Sequence, residues 1–207
     1  MTTLEQISVK DIIKESLQKG ITYESYRDLV RDLAEKGSTT GYEKTEALAN
    51  YTMLNDRRMK RWDKTVKISE EVKAKISGFK GNVTWLVITE SWCGDAAHVI
   101  PVLNKIAELS EGIDLKLVLR DENEALMDQF LTNGGRAIAK LIMVDNVTGE
   151  VLNTFGPRPS EATQRVNDYK AKYGALTPEF KEDLQVWYNK DKGQNIIDDV
   201  MTLLGLN

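Results

Sequence analysis

The sequence predicts an α/β fold in which a small mixed β-sheet is flanked by helices, and the order of its elements supports this. A strand–helix–strand pattern in the middle of the chain implies two parallel strands joined by a crossover helix. Two further strand patterns follow, separated by a short turn-rich segment, which predicts an antiparallel hairpin. Helical periodicity dominates before and after this region. We therefore expect a central sheet with helical additions at both ends.

Residues 1–80 are predicted to form a helical N-terminal extension packed on the core. Apolar side chains recur there at helical spacing, in pieces that end at glycines. The longest piece, about residues 42–63, leads into a basic run. For this run a solvated helix face, with Met59 and Trp62 packed on the core, is favoured over a nucleic-acid patch. The basic residues are Arg57, Arg58, Lys60, Arg61, Lys64 and Lys67.

Residues 81–173 carry the sheet, and residues 174–207 predict C-terminal helices. Thr177 with Pro178 is typical of a helix start, and Gly193 interrupts the pattern that follows. The strand patterns are short apolar or alternating runs. They cover residues 85–88, 115–119, 140–144 and 150–155. Helical patterns cover residues 101–109, 124–131 and 160–173.

Composition limits the classes of function. The chain has 207 residues and a net charge of −4 with both signs interspersed, which gives no overall attraction to nucleic acid or an anionic membrane. It contains neither the apolar stretch of a signal peptide nor a run long enough to span a membrane. A single cysteine forms no intramolecular disulfide, so we expect a reducing, cytoplasmic location.

That cysteine, Cys93, lies in the segment TESWCGDAAHVIP, residues 89–101. A predicted strand ends before it and a helix begins at about residues 93–95. Backbone N–H groups and the helix dipole favour a thiolate at a helix N-terminus, and would lower the pKa below the free value of about 8.5. Asp95 acts in the opposite direction, because its negative charge disfavours a thiolate. The sequence leaves open which effect is larger.

The W-C-G-D sequence of Trp92–Asp95, with Pro101 eight residues after the cysteine, resembles the active site of the thioredoxin superfamily. The family pattern is W-C-x-x-C at the start of a helix. The resemblance covers residues 80–173 and implies a thioredoxin-like fold. It also implies that Cys93 is the nucleophile and that its partner is a protein or a low-molecular-weight thiol or disulfide. The neighbours that would shape the site are Trp92, Gly94 and Asp95.

Three positions depart from the family pattern. Ala96 occupies the position of the resolving cysteine, so nothing within this chain can release a mixed disulfide. Ala139 occupies the position of the cis-proline. A non-proline cis bond costs about 2.5–4 kcal/mol, so we expect a trans bond before Ala139, or else a strained one. The family's buried aspartate would fall at Val87. An engineered Ala96 would trap mixed disulfides, but the other two losses favour an altered natural site.

Two functions therefore remain. The leading hypothesis is a monothiol site that performs thiol–disulfide exchange or forms mixed disulfides through Cys93. The alternative is a non-catalytic protein- or peptide-binding module on a thioredoxin fold. One cysteine and one histidine do not make a zinc site, and we expect no metal and no cofactor. The sequence predicts no particular oligomeric state.

Other polar residues receive simpler interpretations. His98 lies five residues after Cys93, and this spacing does not bring two helical side chains together, so we expect a surface histidine. Residues 134–136, Gly-Gly-Arg, could hold an anion near the cysteine, but a plain turn is favoured. Three carboxylates near the site indicate no particular metal site: Glu90, Asp95 and Asp121.

Overall fold

The computed structural model of the protein describes residues 8–207. Residues 1–7 belong to the predicted helical extension and to the segment expected to lack a signal peptide, and they lie outside the described part. The described chain contains helices and strands in the order expected. The helices are α1 (Val9–Lys19), α2 (Tyr23–Glu35), α3 (Glu46–Thr65), α4 (Glu70–Ser77), α5 (Gly94–Ala107), α6 (Glu124–Gln129), α7 (Ser160–Tyr173), α8 (Pro178–Asp191) and α9 (Gln194–Leu204). The strands are β1 (Val83–Thr89), β2 (Ile113–Leu119), β3 (Lys140–Asp145) and β4 (Val151–Phe155).

The strands form one mixed sheet in the order β2-β1-β3-β4. β1 pairs in parallel with β2 and antiparallel with β3, and β3 forms an antiparallel hairpin with β4. Every residue of β1 is buried, as is usual for a central strand covered on both faces. The predicted α/β class with a mixed sheet is confirmed.

The helical segments before and after the sheet pack on the same core. Tyr26 of α2 and Trp62 of α3 are buried with the sheet residues, as is Tyr188 of α8. The linker between α1 and α2 also touches the sheet directly. The N–H and the C=O of Ile21 both bond to the backbone of Leu117 in β2, each at 2.9 Å. No helix within residues 8–207 is both long and apolar enough to cross a membrane.

The charges of α3 are sorted between its two faces. Asp56 and Asp63 turn towards Arg27 of α2, whose guanidinium binds each carboxylate at 3.1 Å. Met59 and Trp62 are buried, as the sequence predicted. The basic side chains are thereby left on the remaining face, without the two acidic residues that separate them in the sequence.

Candidate functional site

Cys93 is the N-cap residue of α5. Its Sγ accepts a hydrogen bond from the N–H of Ala96 at 3.5 Å, and its S–H donates to the C=O of Ile138 at 3.2 Å. The residue is only 8% exposed. Both hydrogen-bonding directions of the sulfur are therefore used within the protein, and Ala96 fills the place of a second thiol with a buried methyl group.

Burial raises the pKa of the Cys93 thiol to about 12, and the nearby charge of Asp95 adds to this effect. The backbone N–H groups of Ala96 and Asp95 and the charge of Arg158 lower the pKa, but by less. The rise in pKa caused by burial and by Asp95 is therefore larger than the fall caused by the N-terminus of α5. The thiol is protonated at neutral pH.

The peptide bond between Ile138 and Ala139 is cis, so the expectation of a trans bond was wrong. That expectation rested on the preference of an isolated peptide bond. Ala139 is buried. The backbone of Gly156 lies so close to it that a Cβ atom on Gly156 would be 2.2 Å from the carbonyl oxygen of Ala139. The Ile138 carbonyl therefore faces Cys93 even though the family's proline is absent.

Asp95 ties the start of α5 to two distant segments. Its carboxylate binds Arg158 at 2.7 Å and accepts a hydrogen bond from the Tyr188 hydroxyl at 3.1 Å. Burial raises the pKa of Asp95, and the Arg158 charge opposes that rise. Sequence reasoning missed Arg158, and the loop around it gives no signal of this contact. Tyr188 of α8 is buried, and its hydroxyl also reaches the site.

His98 is 1% exposed, so the expectation of a surface histidine was wrong. The Trp62 indole N–H donates to its Nδ1 at 2.8 Å, which leaves the proton on Nε2 to bond Gln185 at 2.6 Å. The imidazole stacks on Tyr188 with ring centroids 4.3 Å apart. Burial lowers the pKa of His98 to about 3. The apolar residues on both sides of His98 were a usable signal of burial, since a helix that is apolar all round is buried.

Partly exposed side chains lie on one side of α3 and next to the start of α5. The Trp92 ring carries the guanidinium of Arg120 at 5.0 Å from its centroid. Arg58 of α3 lies over Gly94, its Nη1 3.4 Å from where a side-chain carbon would stand. One and two turns before Arg58, on the same side of α3, Leu54 is 41% exposed and Tyr51 is 49% exposed. We call these residues the rim: Tyr51, Leu54, Arg58, Trp92 and Gly94.

The three carboxylates do not form one group. Glu90 and Asp121 meet, because the N–H of Asp121 donates to Oε1 of Glu90 at 3.0 Å. Oε2 of Glu90 is buried without a hydrogen-bond partner, and burial raises the pKa of Glu90. Asp95 belongs to the separate contact with Arg158. Within residues 8–207, no group of histidine, cysteine and carboxylate side chains is arranged to hold a metal ion.

The turn at residues 134–136 does not supply an anion contact to the cysteine. Arg136 is held by Asp128 at 2.7 Å and by Glu124 at 2.9 Å. Its charge is therefore already matched on the surface, which agrees with the interpretation of this segment as a plain turn.

The comparisons with known proteins agree on the fold. A family profile described as thioredoxin matches residues 41–170. A protein of unknown function from Pseudomonas aeruginosa superposes with a TM-score of 0.57 at 19% identity, covering 73% of this chain and 84% of that one. An HIV epitope scaffold superposes with a TM-score of 0.56 at 17% identity, covering 89% of this chain and 98% of that one. No curated protein matches the sequence significantly.

Proposed function

This chain belongs to the thioredoxin family, and we propose that it acts as a protein- or peptide-binding module rather than as an efficient thiol–disulfide catalyst. The observation that carries the proposal is the buried, hydrogen-bonded state of its only thiol. Cys93 is buried, and its S–H is bonded to the Ile138 carbonyl. A thiolate, not a thiol, attacks a disulfide.

The raised pKa can be converted into a rate. At pH 7.5 a thiol with a pKa of about 12 is ionised in roughly one molecule in 30,000, against about one in ten for an ordinary thiol. A more basic thiolate is a better nucleophile, which recovers a factor of about 40. The net expectation is attack about 80-fold slower than by a free thiol, before any cost of reaching a buried atom.

The rim supports the binding role. Tyrosine, tryptophan and arginine side chains dominate the energetics of protein interfaces, and the rim presents one of each beside an exposed leucine. Arg58 lies over Gly94 at the start of α5 and so links the two halves of the rim. In this proposal the helical extension of residues 1–80 supplies half of the binding face through α3, and residues 81–173 supply the other half. Residues 174–207 support the site from the side away from the rim, through the bond of Tyr188 to Asp95.

The sulfur is tested by alkylation with iodoacetamide, followed by intact mass. Because Cys93 is the only cysteine, one adduct reports one residue. We expect the folded protein to react about 80-fold more slowly than free glutathione at pH 7.5. In denaturant the two rates should become similar, which controls for the reagent. Alkylation of the folded protein as fast as that of glutathione would contradict the closed-thiol argument.

The rim is tested with peptides selected from a displayed library on the folded protein. We expect Tyr51→Ala and Arg58→Ala each to weaken the selected peptides at least about tenfold, the size of a hot-spot loss. Val147→Ala is the matched control, because Val147 is an exposed apolar residue on the β3–β4 turn. Cys93→Ser should leave binding intact. Equal losses in the rim and control variants, or peptides that bind only as mixed disulfides, would refute the binding proposal.

Monothiol exchange is the second candidate, and one observation favours it. The sulfur stands at the N-cap of α5, facing a cis peptide at the family position. In this reaction the Cys93 thiolate would attack a disulfide, form a mixed disulfide and release the other sulfur as a thiolate. An external thiol would then have to release Cys93. Incubation with glutathione disulfide distinguishes the candidates, since a rapid glutathione adduct that is lost in Cys93→Ser supports exchange.

A further inference from the structure

A cavity of about 880 Å³ lies away from Cys93, between the segment joining α3 to α4 and the turn joining α8 to α9. Ile68 contributes apolar surface to it, whereas Trp62 borders it with only 2% of its surface exposed. Its walls carry four cationic side chains, namely Arg61, Lys64, Lys67 and Lys192. We call this space the basic cavity. Three of the four cations come from the run for which the sequence favoured a solvated helix face.

The positive charge of the basic cavity is not neutralised from within the chain. Among residues 8–207, none of the four cations lies within 4.0 Å of a carboxylate oxygen. Glu70 is the one acidic residue in the wall, and its carboxylate pairs with Lys73 at 2.7 Å. Asp56 and Asp63 are bound to Arg27 instead. A chain with a net charge of −4 thus concentrates unpaired positive charge in one concave place.

Two contacts within the chain hold parts of the cavity wall in place. The Arg61 guanidinium donates to the side-chain oxygen of Asn189 and lies 5.5 Å from the centroid of the Trp62 ring, so a neutral partner fixes it without cancelling its charge. The side chain of Gln194 donates to the C=O of Lys67 at 3.1 Å and joins the two sides of the cavity. Preorganised walls of this kind reduce the ordering cost of binding.

We propose that the basic cavity binds a small phosphorylated ligand of the nucleoside polyphosphate class, with its phosphates on the four cations and its base towards Ile68. Arginine and lysine are the side chains that recognise phosphate oxygens. The volume falls in the range of small-molecule sites, about 300–1,000 Å³, and is too large for a lone phosphate to fill. Ser69 and Gln194 also line the cavity and add polar side chains to its wall.

The test is calorimetric titration of the full chain with ATP, tripolyphosphate and adenosine as probes. We expect saturable ATP binding with a Kd below about 100 μM, weaker binding of tripolyphosphate and none of adenosine. The double variant Lys64→Gln/Lys67→Gln should weaken ATP at least about tenfold, because it removes two charged contacts. The matched control is Lys60→Gln/Lys190→Gln, which removes the same charge from exposed positions on α3 and α8 outside the cavity.

Three results would overturn the proposal. The first is no saturable ATP binding up to about 1 mM, the weakest affinity that still indicates a site. The second is an equal loss in the cavity and control variants, which would show attraction to overall charge. The third is binding of an RNA oligomer or of vesicles with anionic lipid while ATP does not bind, since either would assign these cations to a macromolecular surface. Failure here leaves the rim proposal untouched, because no rim residue lines the basic cavity.

Discussion

The buried thiol should make the protein lose stability as the pH rises above about 8. The pKa of Cys93 is about 12 in the folded chain and about 8.5 in the unfolded one. A group whose pKa is raised by folding contributes stability that is fully present below the unfolded pKa and is lost as the pH rises towards the folded pKa. The sensitive window therefore runs from about pH 8.5 to about pH 12.

The size of the effect follows from the difference between the two states. At pH 10 the pH is about 1.5 units above the pKa of the unfolded thiol, which is therefore ionised, while the folded thiol is still protonated. Each unit is worth about 1.36 kcal/mol, so Cys93 alone should remove about 2 kcal/mol of unfolding free energy between pH 7 and pH 10. This is a large share of a typical stability of 5–15 kcal/mol.

The assay is urea unfolding at several pH values between 7 and 10, on the natural chain and on Cys93→Ala. The variant has no thiol to titrate, while every tyrosine and lysine titrates in both proteins. Cys93→Ala should be the less stable protein at pH 7, and its deficit should shrink by about 2 kcal/mol at pH 10. A difference that stays constant with pH would refute the reasoning, because it would mean that folding does not raise the pKa of this thiol.

Three further outcomes are expected. The pKa of His98 is lowered to about 3, so its NMR signals should not titrate between pH 5 and pH 8, and a shift near pH 6.5 would contradict its burial. Gly156→Ala should cost more than about 2 kcal/mol by urea unfolding, because the new methyl group meets backbone at 2.2 Å, whereas Gly149→Ala, with open space around it, should cost about 1 kcal/mol. Arg27→Ala should lower the free energy of unfolding by about 2–4 kcal/mol, because it leaves two partly buried carboxylates without their cation. Arg31→Ala removes one member of an exposed ion pair and should lower it by less than about 1 kcal/mol. Equal losses in the two variants would show that burial does not matter for these pairs.

Local signals in the sequence predicted the frame of the molecule. Short-range patterns predicted three features, namely the order of strands and helices along the chain, the helix start at Cys93, and the burial of Met59 and Trp62. Such patterns are reliable because one buried face imposes a period on the side chains that cover it. The position of the candidate site came from the W-C-G-D motif at Trp92–Asp95 rather than from these patterns.

The chemistry of the site depends on contacts that no local pattern carries. Asp95 meets Arg158 and Tyr188, which lie 63 and 93 positions further along the chain, counted from their residue numbers. The pKa of Cys93 could not be judged from the local sequence, because the distant Arg158 charge lowers it while burial raises it. The same holds for Ala139, whose backbone lies close to Gly156 from the next strand end.

The bond pair between Ile21 and Leu117 gives the N-terminal segment a protective role. β2 lies at one edge of the sheet, and an open edge is a template for pairing with another chain. The linker between α1 and α2 occupies the middle of that edge with two backbone hydrogen bonds. A fragment beginning at β1 would keep the cysteine and the sheet but expose this edge, and so would self-associate. Trimming the chain to residues 41–170, the part that the family profile matches, would likewise remove Ile21 from this edge of β2.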